Sequence, residues 1–146
     1  MKAFTVTEIL VVISIIGILS LISIPAFRTF APSLELNGIA RELVSNLRYS
    51  QQLSITEQVE HGIRISTTTR EYQLLKYSNP EEIIITKELP ENLDFQNVSG
   101  FTNNEVRYNP YGAVREEGNI YLINNKGTTL VIEVRPSGFV KIKKGD

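Results

Sequence analysis

The sequence predicts an α+β fold, a long N-terminal helix packed on an antiparallel β-sheet. Three observations predict it. The stretch Ile9–Phe27 holds nineteen residues and no charge. Apolar residues then recur at three- and four-residue steps from Leu36 to Leu47, the spacing of a helical stripe. The remainder alternates apolar and polar residues with period two, broken by Gly, Asn and Pro turns.

The whole chain has 146 residues and 16.5 kDa, a length for one globular domain. With 42% apolar and 21% charged residues it is neither disordered nor collagen-like. Its 15 Lys+Arg and 16 Asp+Glu give a net charge of −1, so no overall basic field exists to hold nucleic acid. Cysteine is absent, which removes disulfides, thiol catalysis and cysteine metal sites.

Nineteen helical residues span about 28 Å, close to the hydrocarbon thickness of a bilayer. The run can therefore cross a membrane, where its backbone must be helical. Ser14, Ser20 and Ser23 can bond to carbonyls one turn earlier. Gly17 and these serines are small enough to allow close helix approach. A plain lipid-facing anchor accounts for the same spacing. A secretory signal peptide fits less well, because Glu8 abuts the run and Ile24-Pro25-Ala26 is a poor cut site. The third reading is a short leader that is cut off ahead of a retained helix.

The start reads Met1-Lys2-Ala3, then Phe4-Thr5-Val6-Thr7-Glu8, then the apolar run. This resembles the start of type IV pilins and pseudopilins. The resemblance implies cleavage by a prepilin peptidase between Ala3 and Phe4, and N-methylation of Phe4. Ala3 stands where the family usually has Gly, and Thr7 where it usually has an apolar residue. Gly17 and Pro25 fall where the family tends to place a helix-loosening glycine and proline. Thr5-x-x-Glu8 also fits a capping box, and an early acid complements the helix dipole. The resemblance adds an assembly role for Glu8, pairing with the Phe4 amine of a neighbouring subunit. It places the leader in the cytoplasm, the helix in the inner membrane and the rest outside. The implied organisation is a leader over 1–3, a transmembrane and filament-core helix over 4–33, and a head over 34–146.

Pro25 and Pro32 interrupt the helix ladder, but the helix is expected to resume from about Ser33 to about Glu57. Leu36, Ile39, Ala40, Leu43, Val44 and Leu47 form its apolar face, with Arg41, Glu42, Asn46 and Arg48 on the other. The two halves are expected to make one long, kinked helix. Strands follow at Gly62–Ser66, Glu71–Tyr77 and Glu82–Leu89, and at Val106–Tyr108 before the Asn109-Pro110-Tyr111-Gly112 turn. A meander closes the chain: Ile120–Ile123, Thr128–Val134 and Phe139–Lys143, joined by Asn124–Gly127 and Arg135–Gly138. Residues 90–104 are expected to be a long loop.

Ala40–Tyr49, Tyr108-Asn109-Pro110-Tyr111-Gly112 and Pro136-Ser137-Gly138-Phe139-Val140 resemble segments of H-type type II secretion pseudopilins and FimT-type minor pilins, in the same order. The resemblance implies a minor pilin or pseudopilin. Its partners would be other pilin or pseudopilin subunits, the peptidase, the membrane and an inner-membrane assembly platform.

Enzyme signals are weak. His61 is the sole histidine, and beside Glu60 at a helix–strand junction it reads as a solvated or helix-end residue. Glu81-Glu82 and Glu116-Glu117 read as solvated loop pairs. No calcium-type Asp loop, metal motif or phosphate-cradling glycine motif is present, so no cofactor and no metal is expected. One local argument favours DNA: Arg135, Lys141, Lys143 and Lys144 cluster near the C-terminus, and Lys141 and Lys143 share a strand face. Some FimT-type pilins of DNA-uptake pili carry Gly-Arg-x-Arg here, whereas this chain has Gly138-Phe139-Val140-Lys141. Beyond residue 33 the charge is −2. A charged edge strand that resists aggregation explains the lysines as well.

Overall fold

The computed structural model describes residues 5–145; the side chains of residues 22, 24–26, 28 and 29 lie outside that description. Helix α1 runs Val6–Glu57, without a break at Pro25 or Pro32. The chain divides into two compact units between Pro32 and Ser33. From Val6 onward the first unit is helix. Its apolar side chains from Ile9 to Leu21 are 50–75% exposed.

The second unit carries the C-terminal part of α1 and eight strands: β1 His61–Ser66, β2 Glu71–Lys76, β3 Glu82–Glu88, β4 Leu93–Ser99, β5 Glu105–Tyr108, β6 Gly118–Asn124, β7 Thr129–Val134 and β8 Val140–Lys144. The single expected sheet is in fact two antiparallel sheets, ordered β3-β2-β1-β5 and β4-β6-β7-β8. The split follows from where the chain goes after β3. Instead of looping through 90–104, it forms β4, which pairs with β6 from Leu93↔Asn124 to Ser99↔Asn119. A register shift between Phe95 and Asn97 breaks the alternation, and the polar residues between them hide the strand from a pattern search. A short 3-10 turn, Thr102–Asn104, then leads into β5.

The predicted stripe of α1 packs as expected. Leu36, Ala40, Leu43, Val44 and Leu47 are buried against residues of both sheets, including Ile63, Val106, Ile120 and Ile132. Ser50 and Ser54 carry the stripe on with small polar side chains. The Ser54 hydroxyl donates to the Ser50 carbonyl at 3.0 Å and accepts the His61 amide at 3.0 Å, tying the helix end to β1. Asn46 donates to the Tyr72 hydroxyl at 2.8 Å. Burial pushes that phenol up to about 12, against the smaller opposing effect of the Asn46 bond.

The two turn motifs meet on the helix. Gln51 donates to the Gly112 carbonyl at 2.7 Å, and the Val114 amide donates to the Pro136 carbonyl at 3.1 Å. Gly138 has φ +80° and backs onto Gln51 and the Gly112 carbonyl, leaving no room for a Cβ.

Candidate functional site

Three places merit chemical scrutiny: the start of α1, the polar face around β1, and the edge formed by β8.

At the start of α1 the capping box is formed. The Thr5 amide and hydroxyl donate to Glu8 Oε2 at 2.8 and 3.0 Å, and the Glu8 amide donates back to Thr5 Oγ1 at 3.3 Å. This satisfies helix donors that otherwise have no partner. Ser14, Ser20 and Ser23 donate to the carbonyls of Leu10, Ile16 and Leu19, each at 2.8 Å, so their polarity is spent inside the helix. Gly17 leaves open space around its Cα. Ala3 and Phe4 lie outside the described residues, as does the side chain of Pro25. Among the described residues no helix is long and apolar enough to cross a membrane.

Around β1 the acids and bases are bound to one another. Arg64 donates to both Glu81 oxygens at 2.9 and 3.1 Å and to Glu105 at 2.6 Å. Tyr77 also donates to Glu105, at 2.9 Å. Arg107 lies 3.6 Å over the Tyr77 ring and 2.9 Å from Glu60, which Arg115 also reaches at 2.8 Å. Glu81 is therefore engaged in an ion pair, in contrast to the solvated loop acid expected from sequence. His61 corrects a second expectation. It sits at the helix–strand junction, but its side chain is fully buried rather than solvated. Its Nδ1 is 2.9 Å from the Val59 carbonyl. A carbonyl only accepts, so Nδ1 carries the proton. Nε2 lies 3.5 Å from Glu57, whose same oxygen holds Lys76 at 2.6 Å. The adjacent Ser54 hydroxyl is committed to backbone groups, so the pair has the geometry of a structural tie, not of an activated nucleophile. Among the described residues no three potential metal ligands converge.

The ion pairs carry a pH signature. Bonding to Arg64 holds the Glu81 carboxyl below its ordinary value of 4.5, and Lys76 and Lys143 do the same to Glu57 and Glu133. A carboxyl lowered by folding contributes stability that is complete above its unfolded value and is lost as pH falls through the folded one. The melting temperature is therefore expected to stay level between roughly pH 7 and 5 and then decline, with Arg64→Met shallower in that acid limb. Thermal melts in a pH series check this.

At β8, Lys141 and Lys143 lie on one strand face, opposite Glu133 and Val131 of β7, while Ile142 lies opposite Ile132. The basic cluster is only partly free. Glu133 holds Lys143 at 2.9 Å and Arg135 at 3.6 Å. Arg135 and Lys141 line a groove of about 550 Å³ beside α1, together with Arg41 and Arg48. Lys143 and Lys144 line a separate hollow over Tyr121 and Thr129. Sequence reasoning placed Arg41 and Arg48 only on the polar helix face. Their approach to β8 had no local signal, because roughly ninety residues separate the two segments.

Two solved structures share this architecture. The minor pseudopilin EpsH from the type 2 secretion system of Vibrio cholerae superposes with a TM-score of 0.66 at 14% identity, covering 75% of this chain and 97% of that one. The type IV minor pilin FimU of Pseudomonas aeruginosa gives 0.64 at 13% identity, covering 80% and 97%. The chain has a pilin fold. No family model matches it, and no curated protein matches it significantly. The pilin fold accounts for the α+β layout, with the C-terminal part of α1 packed on antiparallel sheets, which was expected from the sequence.

Proposed function

We propose that this chain is a minor pilin or pseudopilin, a structural subunit of a type IV pilus or type II secretion filament, and not an enzyme. The observation that carries the reading is the helix start. A pilin-fold head is joined to a helix whose apolar side chains from Ile9 to Leu21 are uncovered in the single chain, with one acid, Glu8, boxed at its beginning. Such a surface calls for lipid or other helices around it.

In this reading a prepilin peptidase cuts between Ala3 and Phe4, and Phe4 is N-methylated. The charge-free run holds the precursor in the inner membrane with its head outside. An assembly platform then moves it into the filament, where the helix packs among those of other subunits. Glu8 pairs with the Phe4 amine of a neighbour, because a carboxylate at an apolar boundary seeks a cation. Gly17 and Pro25 loosen the helix as it changes surroundings.

The alternative, a DNA-binding minor pilin of an uptake pilus, rests on Arg135, Lys141, Lys143 and Lys144. It has weaker support, because Glu133 neutralises part of that cluster and the chain beyond residue 33 carries a net −2.

Intact mass of the protein from the membrane fraction tests the main reading. The expected mass lacks Met1, Lys2 and Ala3 and gains one methyl group. A retained Met1, or a mature start at Phe27 or Pro32, overturns it.

A further inference from the structure

The strands β3 and β8 end their sheets, so each leaves one backbone edge without a strand partner. Six of the seven β3 residues are exposed, and Ile83 is 54% exposed. Proteins ordinarily blunt or cover an apolar edge of this kind. The acids Glu82 and Glu88 flank the isoleucines and make no ion pair among the described residues, whereas Lys87 is held by Glu42 at 3.1 Å. This edge is therefore apolar and acidic.

The edge at β8 has the opposite character. Its groove against α1 is lined by no carboxylate. Arg48 and Lys141 make no ion pair among the described residues, and Phe139 is 52% exposed beside them. Helix α1 stands between the two edges: Glu42 reaches β3 through Lys87, while Arg41, Ser45 and Arg48 face β8. Complementary surfaces at different places on one chain join copies head to tail, and such a contact propagates into a ring or an open filament.

We propose that β3 of one copy docks in the α1–β8 groove of the next copy of this chain, with Glu82 and Glu88 against Arg48 and Lys141 and the exposed isoleucines against Phe139. The inference rests on the filament-subunit reading and supplies it with a contact between heads. A second copy is the occupant because both complementary halves are present on this one chain. A nucleic acid would satisfy the cations but leave the acidic, apolar β3 edge unexplained.

The absence of cysteine makes introduced ones unique. The full chain in detergent, carrying Ile83→Cys and Phe139→Cys together, is expected to give a ladder of disulfide-linked dimers, trimers and higher species under mild oxidation. Each single-cysteine variant alone gives background only, and the two mixed give a dimer. Adding Arg48→Glu with Lys141→Glu lowers the ladder at least about tenfold, because like charges then face each other. Adding Glu82→Lys with Glu88→Lys to that chain restores it, which a misfolded variant would not allow. Four results overturn the proposal: no ladder, a strong dimer from one single-cysteine variant, a ladder indifferent to the charge reversals, or abolition of the ladder by a DNA oligonucleotide without rescue by the compensating lysines. If the chain is processed and methylated but gives no ladder, only this contact fails. If Met1 is retained, the filament reading itself fails.

Discussion

Replacing Glu8 with Gln is expected to leave the helix start intact and yet cut incorporation into filaments about a hundredfold. The capping role is seen in the geometry, and the pairing role belongs to the proposed assembly. Thr5 donates twice to one Glu8 oxygen, at 2.8 and 3.0 Å, and a Gln carbonyl oxygen can accept the same bonds. What Gln removes is the charge. Taking away one member of an ion pair in apolar surroundings costs about 3–5 kcal/mol, and each 1.4 kcal/mol is about a factor of ten. The measurement is the share of the protein in sheared filaments against the share left in membranes, with helix content followed by circular dichroism. Glu8→Ala is expected to assemble as poorly and also to fray the helix start, at about 1 kcal/mol. Wild-type incorporation of Glu8→Gln would reduce Glu8 to a helix cap.

Leu43→Ala is expected to cost about 3 kcal/mol, within the range for emptying a leucine site in a core. Leu43 is fully buried where α1 meets residues of both sheets, so neither sheet can close the gap without moving against the other. In a head of this size that loss lowers the melting temperature by about 10–15 °C. The near-ultraviolet signal of the buried Tyr72 and Tyr108 reports it. Ile83→Thr on the exposed β3 edge is the control, expected to change stability by less than about 0.5 kcal/mol. A mild Leu43→Ala would mean that the helix is not the element holding the two sheets together.

Much of the head was legible because its signals are local. The α1 stripe from Leu36 to Leu47 follows from helical period alone. The turns ending at Gly112, Gly127 and Gly138 were marked by residues that tolerate the positive φ those glycines adopt. The strand β4 was hidden because its register shift breaks the alternation and Asp94, Gln96 and Asn97 look like loop residues. The capping box was readable because Thr5 and Glu8 are neighbours in one turn of helix, and the structure forms all three of its bonds.

Spacing along the chain was enough to read the long helix, every strand but β4, the turns ending at Gly112, Gly127 and Gly138, the charge-free run and the acid ahead of it. Each of these depends on residues a few positions apart, whose spacing is fixed by backbone geometry. Long-range packing settled the rest: β4 and the division into two sheets, the burial of His61, the capture of part of the basic cluster by Glu133, and the groove where Arg41 and Arg48 join Lys141. These depend on which distant segments pack together. That choice is made by the shared burial of the helix stripe and both sheet faces, and no short window of sequence contains it.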